Sequence, residues 1–117
     1  MDNEACSVME AVNQISGKWT IGILLAATEG PVRFTELERI VTGISKRMLT
    51  LTLRNLERDG LLRRTVYPTV PPKVEYEATD MARELHSALA ELVDWARRNR
   101  ENITAARTDY DDELIRS

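Results

Sequence analysis

Val8, Met9, Val12 and Ile15 recur at helical spacing along residues 6–16, and Ser16-Gly17 breaks the run. Residues 18–28, from Lys18-Trp19-Thr20-Ile21 onward, are mostly apolar, which predicts a second, buried helix that stops at Gly30-Pro31. Val32-Arg33-Phe34 leaves room only for a stub strand. Thr35 is followed three residues later by Glu38, a hydroxyl and a carboxylate at capping-box spacing, so a short helix should open there and run to about Val41. Leu37, Ile40 and Val41 form its expected inner face. Gly43 permits a tight turn, Ser45 caps a helix from Lys46 to about Asp59, and Gly60 is its left-handed C-terminal residue. After Gly60 the period falls from about 3.6 to about 2. Leu62, Arg64 and Val66 alternate with Arg63, Thr65 and Tyr67, and Val74, Tyr76 and Ala78 alternate with Lys73, Glu75 and Glu77. Two strands around Pro68-Thr69-Val70-Pro71-Pro72 predict a hairpin with a stiff tip. Thr79 then caps a long helix to about Arg98, with Met81, Leu85, Ala88, Leu89, Leu92 and Ala96 as its apolar stripe. Residues 99–117 are polar and acidic, and are expected to fray or to form one short helix near Asp111–Ile115.

A short helix joined through a glycine-containing turn to a second helix is the helix-turn-helix arrangement, and a two-stranded ribbon directly after it makes the domain winged. The predicted fold is mostly α with a small β-hairpin wing, spanning residues 1–98, and residues 99–117 form a tail. The helix from Lys46 divides into two faces. Leu49, Leu53 and Leu56 anchor it to a core. Arg47, Leu51, Arg54 and Arg58 form the opposite stripe, with Lys46 and Thr50 along its edge. A cationic helix face of that kind suits the major groove of double-stranded DNA, which admits one helix between walls of phosphate. Arg47 and Arg54 can reach guanine edges or phosphates, Thr50 can hydrogen-bond either, and Leu51 suits a thymine methyl. Ser45 and the first-turn amides suit a phosphate. On the hairpin, Arg63, Arg64 and Lys73 are phosphate candidates and Thr69 and Val70 occupy the apex that would meet the minor groove. Arg33 and Thr35 are further phosphate candidates. The alternative is a solvated arginine face and a hairpin that only protects a sheet edge.

The charge balance bears on that choice. The net charge is −3, which alone argues against nucleic acid. However, residues 31–79 hold nine Lys and Arg against six acids, while the remainder of the chain holds seven against thirteen. The basic middle points to an anionic partner. With 117 residues and 43% hydrophobic positions, the chain is long enough for one cored domain. The single cysteine, Cys6, excludes an internal disulfide, and the single histidine, His86, leaves no zinc set; no metal and no cofactor are expected. No apolar run nears the ~20 residues of a membrane span. Asp2 and Glu4 stand where a secretory signal would be basic, so the cytoplasm is the expected location.

Several segments together resemble the HxlR family of bacterial winged-helix transcription regulators, relatives of the MarR type. They are Cys6 with the helix after it, Ser16-Gly17-Lys18-Trp19-Thr20, Gly30-Pro31-Val32-Arg33-Phe34-Thr35-Glu36-Leu37 and Gly43-Ile44-Ser45-Lys46-Arg47-Met48-Leu49-Thr50. The likeness continues through Leu53-Arg54-Asn55-Leu56-Glu57-Arg58-Asp59-Gly60-Leu61 and Tyr67-Pro68-Thr69-Val70-Pro71-Pro72-Lys73-Val74-Glu75-Tyr76, covering about residues 6–95. The resemblance implies a homodimer that binds an operator with two-fold symmetry; the leading expectation is a DNA-binding repressor, with an activator left open. It places Val8, Met9, Val12, Ile15, Leu85, Leu89, Leu92 and Trp95 at the dimer interface, where the residues alone read equally well as core. It also implies a sensor role for Cys6, whose thiolate a helix N-terminus would favour and which Glu4 and Glu10 oppose. An apolar dimer seam would have room for a small-molecule effector, though no residue names one. Several members carry Gln and Arg where this chain has Leu51 and Thr52, so no operator sequence carries over. Two other functions compete: a winged-helix module that binds protein rather than DNA, and a thiol enzyme using Cys6, which lacks any nearby His or Asp partner.

Overall fold

The computed structural model describes residues 7–116; Cys6 lies outside them. The elements are α1 (Val8–Ile15), α2 (Thr20–Thr28), α3 (Phe34–Ile40), α4 (Lys46–Arg58), β1 (Leu62–Tyr67), β2 (Lys73–Ala78), α5 (Asp80–Arg83) and α6 (His86–Arg116). The chain forms two units, divided between His86 and Ser87.

In the first unit, α2 is the central element. It packs against α1, α3, β2 and α5, and its Thr20, Ile23, Leu24 and Ala27 are buried, as its nearly all-apolar sequence requires. Leu37 and Val41, with Leu49, Leu53 and Leu56 of α4, and Leu61, Leu62, Ala78 and Ala82 complete the core. β1 and β2 pair antiparallel in the register Leu62↔Ala78 through Tyr67↔Lys73. The stub at Val32 joins this hairpin by a two-way exchange with Tyr76, each bond 2.8 Å. The molecule is a winged helix-turn-helix, mostly helical with a two-stranded wing.

Three boundaries differ from the sequence expectation. α3 opens at Phe34, with the Arg33 amide donating to the Glu36 carboxylate at 2.9 Å, so the cap falls two residues ahead of Thr35. Ile40, expected inside, is 52% exposed; Leu37 and the C-cap residue Val41 are buried and Phe34 is half-buried. Thr79 does cap a helix, its hydroxyl accepting from the Ala82 amide at 3.3 Å, but that helix is only α5. At Glu84-Leu85 the backbone tightens, with the Leu85 amide bonded to the Ala82 carbonyl at 3.0 Å, and α6 begins afresh. Within α5, Ala82 is buried and Met81, expected on the apolar stripe, is 51% exposed.

The second unit is the rest of α6, which runs unbroken to Arg116 rather than ending near Arg98. Polar residues end the apolar stripe there, not the helix. Asn99, Thr104 and Thr108 turn their side chains back onto the carbonyls of Trp95, Arg100 and Thr104 at 3.0–3.1 Å, which absorbs their polar groups without breaking the turn. No helix among the described residues is long and apolar enough to cross a membrane.

Candidate nucleic-acid interface

Gly43 adopts φ +91°, a left-handed conformation open to glycine and costly for other residues, and so turns the chain sharply between α3 and α4. Ser45 stops the turn: its Oγ accepts from the Met48 amide at 3.0 Å. That bond occupies one of the first-turn donors the sequence offered to a phosphate. Ser45→Ala is expected to cost about 1 kcal/mol of stability, read as a lower midpoint in chemical denaturation, because it strands that donor.

Leu49, Leu53 and Leu56 are buried, and they fix the rotation of α4 about its axis. The opposite face is therefore turned to solvent. Lys46, Arg47, Thr50, Leu51 and Arg54 line one shallow groove on it. Lys46, Arg47 and Arg54 are exposed, Thr50 is half-buried, and Leu51, an apolar side chain among cations, is 49% exposed. Among the described residues, none of these three cations, nor Arg58, has a carboxylate in ion-pair range. The acids that a solvated arginine face would recruit, Glu57 foremost, leave them unpaired.

The hairpin is organised differently. Strand alternation puts Arg63, Thr65 and Tyr67 on one face with Lys73, Glu75 and Glu77, and Arg64 on the other. Arg63 pairs with Glu77 at 3.3 Å across the strands, and Lys73 pairs with Glu75 at 3.3 Å while its ammonium sits 5.2 Å from the Tyr67 ring centre. Two of the three expected phosphate ligands on the wing thus carry internal counter-charges. The Tyr67 phenol is held above its ordinary pKa by its hydrogen bond to the Glu75 carboxylate and by that group's charge, so carboxylates as well as cations set the local field. Arg64 is exposed, with no ion pair among the described residues. At the tip, the Thr69 hydroxyl donates to the Pro71 carbonyl at 2.8 Å, and Val70 is 99% exposed. The pairing of Arg63 with Glu77 is legible in principle, since the alternation and a tight hairpin register place them opposite each other. Arg33 and Thr35 are exposed at the start of α3, outside the groove on α4.

The residues expected at a dimer interface are apolar and largely uncovered. α1 buries none of its residues; Val8, Met9 and Val12 are exposed and Ile15 is half-buried. Leu85 is half-buried, Leu89 is buried, and Leu92 and Trp95 are about half exposed. Ala11, Ile15, Leu61, Met81 and Leu85 also line an open, mainly apolar groove of about 460 Å³ in the first unit, with Asp59 and Glu84 on its border.

Residues 14–104 match the family model described as HxlR-like helix-turn-helix. The chain is 45% identical over 96 residues to an HTH-type transcriptional regulator of Methanothermobacter thermautotrophicus, covering 82% of this chain and 73% of that protein. It is 38% identical over 106 residues to the HTH-type transcriptional regulator YtfH of Escherichia coli (strain K12), covering 91% and 84%. Among solved structures, the reduced form of HypR, named a redox regulator, superposes with a TM-score of 0.78 at 40% identity, covering 84% of this chain and 97% of that one.

Proposed function

The chain belongs to the HxlR-like helix-turn-helix family of DNA-binding transcriptional regulators, and from that we propose that it represses transcription as a homodimer, with α4 as its reading helix. The observation that carries the assignment is the row of unpaired cations along the groove of α4, held outward by three buried leucines. Arg47 and Arg54 reach guanine O6 and N7 in the major groove, Thr50 bonds a base or a phosphate, and Leu51 meets a thymine methyl. Lys46 and the first turn of α4 at Ser45 hold the backbone at the groove's edge. Arg33 and Thr35 add phosphate contacts.

On the wing, Arg64 is the cation free to bind phosphate without first losing a partner, and Thr69 and Val70 meet the minor groove. Arg63 and Lys73 exchange their glutamates for phosphates. Surface pairs are worth about 0–1 kcal/mol each; here the Glu77 and Glu75 side chains are 29% and 20% accessible, so the exchange also leaves two half-buried carboxylates without their cations. The exposed and half-buried apolar residues of α1 (Val8, Met9, Val12 and Ile15) with Leu85, Leu92 and Trp95 supply the dimer contact, while Leu89, expected among them, is 6% exposed and packs within its own chain. A two-fold pair sets the reading helices about 34 Å apart, one turn of duplex. The likeness to a protein named a redox regulator supports a sensor role for Cys6, acting through a capped thiol or a link to the second subunit's Cys6. The apolar groove at Ile15 and Leu85 offers a seat for a small apolar effector. The cytoplasm is the compartment where such a protein meets DNA.

The affinity for duplex DNA, followed by fluorescence anisotropy, tests the reading. A dimer using about six phosphate contacts should lose roughly a thousandfold in affinity between about 50 and 200 mM salt. A double-logarithmic slope near zero would instead mark a protein-binding module.

A further inference from the structure

The open groove walled by Ile15, Leu61, Met81 and Leu85 carries a charge pattern that narrows what it can hold. Its volume of about 460 Å³ suits one small organic molecule. The charged groups on its wall are two carboxylates, Asp59 and Glu84, and among the described residues no Lys, Arg or His lines it. Neither carboxylate has an ion pair among those residues. Arg58 follows Asp59 into a neighbouring polar cleft, yet the two do not pair. Asp59 is also the C-cap of α4, the end at which the helix dipole disfavours a negative charge. An apolar wall beside two carboxylates with no internal cation repels an anion and leaves its negative field unanswered by a neutral guest. Met81 is the adjustable part of the wall. It is 51% exposed, and its methyl reaches the end of α4, where a Cβ at Gly60 would lie 3.3 Å from Met81 Cε. An unbranched thioether accommodates guests of differing shape.

We propose that this groove binds a lipophilic monocation, a compact hydrocarbon body on the apolar wall with a protonated amine or quaternary ammonium directed at Asp59 and Glu84. The inference rests on the effector reading above and adds the charge that the effector carries. Burial of the hydrocarbon supplies the affinity, and the two carboxylates select the sign of the guest. The carboxylates are exposed at the rim, so salt weakens the selection more than it weakens the binding. Asp59 and Leu61 belong to the turn that ends α4, in which the Leu61 amide donates to the Leu56 carbonyl at 2.9 Å. The guest therefore sits against the end of the reading helix. The groove shares no residue with the row of cations along α4, so its occupancy is measured apart from the DNA contact.

Three probes that share one hydrocarbon cage test this: adamantylamine, adamantanol and adamantanecarboxylate, which are cationic, neutral and anionic at neutral pH. The full-length chain is labelled at its methionine methyls and titrated by NMR. The amine should shift the Met81 methyl and leave that of Met48, on α4, in place. It should bind about fivefold or more tightly than the alcohol, and the carboxylate should bind weakest. In the double variant Asp59→Asn with Glu84→Gln, the amine and the alcohol should agree within about twofold, while the alcohol binds as it does to the unaltered chain. Both substituted side chains are exposed, so folding is preserved, and circular dichroism verifies it. An alcohol that binds as tightly as the amine, or a carboxylate that binds more tightly, would overturn the charge assignment and leave the groove as a seat for an effector of another kind. A Met81 methyl unmoved by all three probes would overturn the site itself and mean that protein closes the groove, a helix of the second subunit included.

Discussion

Arg54→Ala is expected to weaken binding to a selected operator by about 1–3 kcal/mol, roughly a five- to 150-fold rise in Kd. Arg54 lies midway along the exposed face of α4, in the groove with Arg47 and Leu51, and no carboxylate engages it among the described residues. Its loss removes a contact to the ligand and nothing from the core, so the denaturation midpoint should stay where it is. Discrimination should relax at one base-pair position in each half-site, because a bidentate contact to guanine is lost there and nowhere else. Lys73→Ala should behave differently. It should weaken all duplexes by a similar small factor, since Lys73 already shares its charge with Glu75. Anisotropy titrations against the operator and its single-position variants separate the two patterns. Unchanged operator affinity in Arg54→Ala would remove α4 from the reading role.

The largest effect on stability is expected at Leu53. This side chain is 2% exposed, between the fully buried Leu49 and Leu56 on the inner face of α4. Leu53→Ala leaves a cavity where the three leucines lock the helix in rotation, and it should cost about 2–5 kcal/mol in urea denaturation. That is a large share of the ~5–15 kcal/mol typical of a whole domain. Leu51→Ala, two residues away and half exposed, should change stability by no more than about 0.5 kcal/mol while altering preference at thymine positions. The two leucines, close in sequence but on opposite faces, thus separate folding from recognition. Equal losses of stability in both variants would mean that α4 buries Leu51 as deeply as Leu53 and presents some other face to solvent.

The turn at Gly43, the cap at Ser45, the buried leucines of α4 and both strands to their end residues are legible in the sequence because their local signals are strong: a glycine at positive φ, a hydroxyl at the cap and a clean alternation. The start of α3 is ambiguous, because Thr35–Glu38 and Arg33–Glu36 both offer a carboxylate three residues on, and only backbone conformation chooses between them. The break at Glu84-Leu85 has no glycine or proline to announce it, and residue types there give no physical reason for it. The persistence of α6 to Arg116 is hidden because its apolar stripe ends well before the helix does, and the polar residues that follow give no periodic signal of the kind that marked its first part. On the wing, counting cations without their same-face neighbours overstates the free charge, since Glu77 pairs with Arg63 across the strands and Glu75 pairs with Lys73 along β2.

Dimethyl sulfate interference on a selected operator tests the central assignment most directly, because the reagent marks guanine N7 in the major groove and adenine N3 in the minor groove. Insertion of α4 predicts that methylated guanines block binding in two clusters about one helical turn apart, and that the block disappears at one guanine per cluster in Arg54→Ala. Interference confined to adenines, or a binding reaction indifferent to guanine methylation, would contradict it.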